Sequence, residues 1–364
     1  MRQDRSQIEK SLRVIWIFLF VAFCLVPSLG MLFVGETKTS ANEILASRPQ
    51  LIMKSGKWNS QYLNDVSDYI ADHFAFRKNL VNAWSELNAK LFRSSAEEQV
   101  VLGTEGWLYY ASTLDDYMGR AMSEEDLDLA AFYLASLQRD AESRGASFYF
   151  TIAPNKNSLY ATHMPSYIPE AHAVSNAARL KPYLERYGVN YIDLFSVFAG
   201  EGECLYYRTD SHWTDRGAAL AADALLGAMG KNTAYFSSVF TEGEPHRGDL
   251  YEMLYPTGKE RESSEIYAPG FSYTLSRNPN NGEAQRIPSH CEGRNGSLVC
   301  WRDSFGISLY PYLADSFENA LFLRSASYDL AEIDKNGADT VLIELVERNL
   351  PQLAEAGRKA ENDA

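Results

Sequence analysis

Basic charge is scarce in this chain of 364 residues: 34 Lys and Arg stand against 48 Asp and Glu, a formal charge of −14. That deficit excludes nucleic acid as a partner, because phosphate binding needs a basic footprint. A local basic patch could still hold a polyanionic substrate. Glycine-rich phosphate loops, heptads and internal repeats are missing, and the cofactor classes lack their motifs, so no cofactor is expected. Histidine and cysteine do not cluster at metal-ligand spacing, and no metal site is expected. What remains is ordinary globular composition, 46% hydrophobic and 23% charged, which argues against wholesale disorder. The length suits one large domain with accessories, or two domains.

The N-terminus carries a clear physical signal. Arg2, Arg5, Lys10 and Arg13 precede a run without charge from Val14 to Gly35. At about 1.5 Å per residue such a run crosses a bilayer core of roughly 30 Å. The leading cations hold that end in the cytoplasm and place the rest of the chain outside. The rival is a cleaved signal peptide with its core at Val14–Val26 and small residues at Ser28-Leu29-Gly30. Met31-Leu-Phe-Val34 continues the apolar run past that point, which favours an anchor. The expected division is a cytoplasmic tail (1–13), a transmembrane signal-anchor (14–35) and a helical linker (36–100). A main domain (101–350) and a flexible tail (351–364) follow.

In the linker, Trp58, Tyr62, Val66, Tyr69, Ile70 and Phe74 recur at helical spacing, followed by Leu80, Trp84, Leu87 and Leu91. Core packing is the simplest reading of that stripe, and His73 within it reads as structural. From residue 101 strands alternate with helices. Short strands fall at 100–102 and 107–110, and a helix at 124–144 has Ser123 as N-cap and Gly145 as stop. A buried strand at 147–153, a helix at 175–187 stopped by Gly188, and a strand at 189–194 come next. An Ala-rich helix at 215–229, a strand at 298–301 and a strand at 340–346 complete the series. This alternation predicts a three-layer α/β fold with a mostly parallel sheet. Residues 231–290 break it and read as a loop-rich insertion near the site, with Pro279-Asn-Asn-Gly282 as a turn cluster.

Cys24 lies in the apolar N-terminal run. Cys291 and Cys300 flank Asn295-Gly296, a hairpin signal that would set the two opposite each other. Their Cα atoms would then be roughly 4.5 Å apart, within disulfide range. Two unbonded cysteines, with Cys300 buried in a strand, is the other reading. Cys204 would be left unpaired and reads as core.

Two segments combine chemistry with position. Tyr206-Tyr-Arg-Thr-Asp-Ser-His-Trp-Thr214 precedes a helix, and Arg302-Asp-Ser-Phe-Gly306 turns from strand to helix. A serine hydroxyl needs a base within hydrogen-bond reach, and histidine suits because its pKa lies near operating pH. Histidine in turn needs an acceptor on its second nitrogen, which Asp210 can supply from two residues before His212. Ser304 is then the nucleophile, with backbone N–H groups beyond it available to an oxyanion. The plain alternatives are that Asp210 caps the following helix, His212 is a core histidine and Ser304 is an N-cap.

These segments resemble the Asp-x-His-Trp and Arg-Asp-Ser-Phe signatures of the alginate O-acetyltransferase (AlgJ/AlgX-like, DHHW-type) family of SGNH-hydrolase-like proteins. The triad order is permuted there, with Asp and His before Ser, as it is here. Asp72-x-Phe74-x-Phe76-Arg77, Gly106-Trp-Leu-Tyr109, Ile152-Ala-Pro-Asn-Lys156 and Glu344-x-x-Glu347-Arg348-Asn-Leu350 extend the resemblance over roughly residues 65–350. It implies O-acetylation of a cell-surface or exported polysaccharide through an acetyl-serine at Ser304, worked by His212 and Asp210. A carbohydrate esterase with the same triad, or a non-catalytic polysaccharide-assembly component, are the alternatives. The resemblance also implies a multi-spanning membrane O-acyltransferase as acetyl supplier. It implies a bacterial membrane location with the catalytic domain outside the cytoplasm. Tyr207, Arg208, Lys156 and Arg348 become candidate substrate or oxyanion contacts, and Asn155 and Asn157 candidate oxyanion donors. Trp213 is expected to pack beneath the loop. One departure is Arg302, where SGNH enzymes usually have glycine.

Overall fold

A computed structural model describes residues 2–31, 33, 45–120, 122–170, 174–276, 285–325 and 327–363. The turn cluster at 279–282 and the end of the apolar run at Val34-Gly35 lie outside the described residues. The chain forms two compact units, 1–97 with 251–259, and 98–250 with 260–364.

The first unit opens with α1 (Arg2–Gly30). Within it Lys10–Pro27 is long and apolar enough to cross a membrane, with a mean hydropathy of 1.9 and none of that window buried. Helices α2 (Tyr62–His73) and α3 (Arg77–Phe92) follow. The apolar stripe does not form a core, contrary to the sequence expectation. Trp58, Ile70, Leu80, Trp84, Leu87 and Leu91 are exposed, Trp84 by 57%. On α3 the buried residue is Ser85 instead. Periodicity shows which residues share a face, and it is silent on whether anything covers that face. His73 does play a local part, bonding the Tyr69 carbonyl at 2.9 Å and stacking on the Tyr69 ring.

The second unit begins with an antiparallel pair, β1 (Val100–Leu102) and β2 (Leu108–Tyr110), separate from the main sheet. Then come α4 (Leu114–Tyr117), α5 (Glu124–Ser143), β3 (Ser147–Ala153), α6 (Lys156–Leu159) and α7 (Asn176–Tyr187). Ser123 starts α5 through a capping box with Asp126, and Gly188 ends α7 in the left-handed region, as their residue types require. Strand β4 is shorter than expected, Tyr191–Ile192, because Asp193 caps α8 (Leu194–Ala199). Next are α9 (Asp215–Ala228), β5 (Phe240–Glu242), α10 (Asp249–Leu254), β6 (Glu265–Tyr267), β7 (Thr274–Leu275) and β8 (Arg286–His290). The chain closes with β9 (Ser297–Trp301), α11 (Gly306–Ala314), β10 (Asn319–Leu323), α12 (Ala331–Asn336), β11 (Thr340–Val346) and α13 (Pro351–Asp363).

The main sheet has seven strands in the order β4-β3-β11-β9-β10-β8-β7. Its first five are parallel, and β8 and β7 add an antiparallel edge. Alternate residues feed two cores. Phe148, Phe150, Ile152, Val341 and Ile343 pack with α5, α7, α12 and α13. Leu298, Cys300, Phe322, Leu342 and Val346 pack with α8, α9 and α11 on the other side. This is the expected three-layer α/β architecture, with β3, β11 and β9 side by side at its centre.

Three expectations are corrected. The Asn295-Gly296 turn does not make a hairpin, because β9 pairs in parallel with β10 and β11, and β10 lies between it and β8. Every residue of β9 is buried, so its apolar run takes a central parallel position rather than an edge one. Cys291 and Cys300 are accordingly free and buried, with no disulfide, and Cys204 is exposed. The tail after Pro351 does not fray: α13 buries Leu353 and Ala354. Finally, residues 231–290 are not all insertion, since they supply β7 and β8.

Candidate active site

The carboxyl ends of β3, β9 and β11 are neighbours, so the segments after them meet: Asn155-Lys156, Asp303-Ser304 and Glu347-Arg348. Sites in open α/β sheets form at such ends. The loop after α8 supplies the remaining groups. Tyr206 and Trp213 form an antiparallel bridge, and the Tyr207 N–H donates to the His212 carbonyl at 3.3 Å. This closes residues 207–212 into a tight loop. Trp213 anchors it from below, 1% exposed and packed on Phe198 and Phe305. Thr214 caps α9 through its hydroxyl, which leaves Asp210 without a capping duty.

Asp210, His212 and Ser304 converge. His212 Nδ1 lies 2.7 Å from Asp210 Oδ1, and His212 Nε2 lies 2.8 Å from Ser304 Oγ. With the carboxylate at Nδ1, that nitrogen carries the proton and Nε2 accepts from the serine hydroxyl. Ser304 is not a helix cap, since Phe305 holds that position at the start of α11. The Ser304 turn is tied down by Asp303. Its carboxylate accepts the Phe305 N–H at 2.9 Å and the Val346 N–H at 2.7 Å. The Asp303 N–H donates to Glu344 at 3.1 Å, and burial pushes Glu344 well above the usual carboxylate range. Arg302 is 3% exposed, and a Cβ on Gly306 would fall 2.6 Å from its Cβ. Glycine at 306 is what lets α11 start against the arginine that replaces the usual glycine.

Burial works against the Asp210 carboxylate, but hydrogen bonds and charge from His212 and His246 outweigh it and hold its pKa well below the ordinary value. Burial likewise disfavours the His212 imidazolium, yet Asp210 and Asp249 overcome it and leave the pKa raised, with Arg348 opposing.

The other expected contacts sort into two groups. Lys156 is a brace: its Nζ donates to the carbonyls of Tyr207 (3.1 Å), Arg208 (2.9 Å) and Asp210 (2.5 Å). Three acceptors suit the three protons of an ammonium. Burial draws its pKa down to about 8, against the pull of Asp210, Asp249 and Glu262. Asn155 is buried, and its N–H donates to Glu347 at 2.9 Å. Asn157 reaches the Thr113 carbonyl at 3.3 Å. Neither asparagine Oδ1 has a hydrogen-bond partner among the described residues. Burial raises Glu347 to about 7, with Asp116 adding to the shift. Arg348 stacks over Phe305 and Tyr110 at 5.5 and 5.4 Å, beside the triad. Tyr207 stacks on His246, and Arg208 is half-exposed with its guanidinium 3.5 Å from Glu262.

Sequence reasoning missed Glu262, His246 and Asp249, all in the stretch read as insertion. The Glu262 carboxylate accepts the N–H groups of Arg208 (2.9 Å) and Thr209 (2.7 Å) and the Thr209 hydroxyl. Asp249 accepts the N–H and hydroxyl of Ser211 at 2.7 and 2.6 Å. Nothing in their local sequence marks these residues. Asp210, His212 and Asp249 bring ligand atoms within 4.8 Å of one another. Their acceptors, though, already take protons from His212, His246 and Ser211, so the group reads as support for the triad rather than a metal cage.

The sheet, the three layers and the order Asp-His-Ser define an SGNH-hydrolase-like α/β domain. Comparison places it further: residues 100–274 match the family described as SGNH hydrolase-like domain, acetyltransferase AlgX. The domain is SGNH-hydrolase-like and of the AlgJ/AlgX kind, the resemblance that the two motifs carried. The chain is 26% identical over 258 residues to a protein of Pseudomonas syringae pv. tomato named probable alginate O-acetylase AlgJ, covering 68% of this chain and 61% of that one. It is 26% identical over 380 residues to the protein of the same name from Pseudomonas fluorescens, covering 96% and 90%. Among solved structures, Bacillus cereus PatB1 with a sulfonyl adduct aligns at TM-score 0.54 and 18% identity, over 69% of this chain and 95% of that one. A DHHW family protein from Eubacterium siraeum aligns at TM-score 0.53 and 18% identity, over 71% and 98%. The structural likenesses speak to fold.

Proposed function

We propose that this protein is an O-acetyltransferase that modifies hydroxyls of an exported polysaccharide through an acetyl-serine at Ser304. The observation that carries the reading is the hydrogen-bonded chain Asp210–His212–Ser304. The names of the relatives, alginate O-acetylases, support the acetyl group and the polysaccharide class.

In the first half-reaction His212 Nε2 takes the Ser304 proton as Oγ attacks the acetyl carbonyl. Asp210 holds the ring and stabilises the imidazolium that results. Ser304 stands two residues before α11, whose N-terminal amides carry partial positive charge, which favours the oxyanion. The donor's leaving oxygen takes the proton from His212. In the second half His212 removes the proton of a sugar hydroxyl, whose oxygen attacks the acetyl-serine and regenerates the Ser304 hydroxyl. Arg348, beside the triad, is a candidate to contact the acetyl donor or the polysaccharide, and Tyr207 and Arg208 line the same loop.

The apolar helix Lys10–Pro27 supports a single-pass anchor, with the four leading cations in the cytoplasm and the domain outside. A multi-spanning membrane acyltransferase that hands over acetyl groups is the partner this topology suits. The test is full-length protein in detergent with p-nitrophenyl acetate and oligosaccharide acceptors, beside Ser304→Ala. Acetylated oligosaccharide formed only by the wild type supports the transferase. Serine-dependent hydrolysis with no acetylated acceptor replaces it with an esterase. No acetyl-enzyme at Ser304 removes catalysis from the reading.

A further inference from the structure

The inference concerns the triad of the preceding section and rests on that reading. Asp210 is the acceptor for two histidines. Its Oδ1 faces His212 Nδ1, while His246 Nε2 lies 2.8 Å from its Oδ2. The Asp249 N–H donates to the same Oδ2 at 2.9 Å. We propose that His246 is a positioning residue for catalysis, a second donor that fixes the Asp210 carboxylate and sets how strongly it pulls on the His212 proton.

The fold holds His246 there by several independent means. Strands β5 and β6 run antiparallel, and the pairing continues beyond them to His246 and Glu262, which exchange backbone hydrogen bonds at 2.8 Å each way. One side of this clasp, Glu262, grips Arg208 and Thr209. The other side, His246, grips Asp210. Two residues on, a Cβ at Gly248 would fall 2.1 Å from the Thr209 carbonyl oxygen, so glycine lets this backbone press on the catalytic loop. The His246 ring also stacks on Tyr207, centroids 4.0 Å apart. The ring is thus placed by backbone pairing and stacking, and its Nε2–H has one acceptor, Asp210, among the described contacts.

The direction of its effect follows from electrostatics. A hydrogen bond to the carboxylate spreads its negative charge and weakens its hold on the His212 proton. Losing that donor leaves Asp210 a stronger acceptor, and the His212 pKa rises. A charged His246 would give the same sign, since a nearby cation disfavours the imidazolium. The other charged groups acting on His212 are Asp249 and Arg348, and Lys156 lies behind the Asp210 carbonyl; all stay unchanged in the test.

The test uses full-length protein with p-nitrophenyl acetate from pH 5 to 9, and compares two variants. His246→Phe keeps a ring against Tyr207 and removes the donor. His246→Gln keeps an amide donor and removes the ring. We expect the Phe variant to lose about tenfold in kcat with KM nearly unchanged and to show its acid limb at higher pH. The Gln variant should stay within about threefold of wild type, with the acid limb in place. Equal losses in both variants that track a fall in melting temperature, or an acid limb unmoved in the Phe variant, would overturn the proposal. Should the Phe variant not fold, His246→Asn, too short to reach Asp210, takes its place. Ser304→Ala separates the two ideas: turnover that survives it undermines the proposed function, whereas serine-dependent turnover with wild-type behaviour in both His246 variants undermines only this inference.

Discussion

The two halves of the triad are built in different ways. Ser304 stands at the end of β9, a strand buried along its whole length and flanked by β11 and β10 in parallel register. Apolar packing on two faces puts it in place, and Asp303 finishes the turn with two N–H bonds. The loop with Asp210 and His212 has no such strand beneath it. Lys156 holds three of its carbonyls, Glu262 two of its N–H groups, and Asp249 its serine. One half rests on hydrophobic burial and the other on buried polar contacts. Burial is tolerant of substitution because it is spread over many atoms. A polar clasp is brittle, since removing one partner leaves several buried groups unpaired.

The largest expected effect separates chemistry from scaffold. Ser304→Ala should reduce turnover at least about 10³-fold while the melting temperature stays within a few degrees of wild type, read by calorimetry beside the acetyl ester assay. Breaking the polar half should do both. Glu262→Ala strands the N–H groups of Arg208 and Thr209; a destabilisation of about 2–4 kcal/mol is expected, with at least tenfold lower kcat. If urea unfolding places Glu262→Ala level with wild type, the loop is not held from that side.

A middle-sized effect is expected where the apolar half is tightest. Gly306→Ala sets a methyl 2.6 Å from the Arg302 stem, and about 1–3 kcal/mol of overpacking should appear in denaturant midpoints, together with a fall in kcat. An unchanged midpoint would mean that α11 is free to shift. Smaller still is a displacement along the pH axis. His212 must be neutral to act as base, and its pKa is raised above 6.5 chiefly by Asp210, against burial. Activity should therefore be lost as pH falls through a midpoint above 6.5, and kcat/KM profiles measure that midpoint. The smallest effect is none: with Cys291 and Cys300 free, a reducing agent should leave the melting temperature unchanged. A drop of several degrees would restore the cross-strand bridge.

Much of this architecture is legible along the chain. Ser123, Gly145, Gly188 and the apolar runs at 147–153 and 340–346 mark elements that the structure contains, because caps and buried strands depend on residues close in sequence. Asp210, His212 and Ser304 are legible as chemistry for the same reason, each sitting in a short segment of telling composition. The errors share a cause. Asn295-Gly296 is a good local turn signal, yet it cannot tell that β10 inserts between β8 and β9. The stripe at Leu80, Trp84, Leu87 and Leu91 shows a helical face, yet no local rule says that it stays exposed. Pro351 begins a helix whose Leu353 and Ala354 are buried with α5, a partner more than 200 residues earlier in the chain.

Sequence by itself therefore determined the helices and strands, the alternation that makes a three-layer α/β fold, and the residue types of a serine hydrolase-like site. Tertiary structure alone decided strand order, the fate of the cysteines and the clasp in which Glu262, His246 and Asp249 secure the catalytic loop. The reason is range. Caps, periodicity and turn chemistry act over a few residues, whereas a carboxylate that takes protons from residues 212, 246 and 249 exists only once the chain has brought them together.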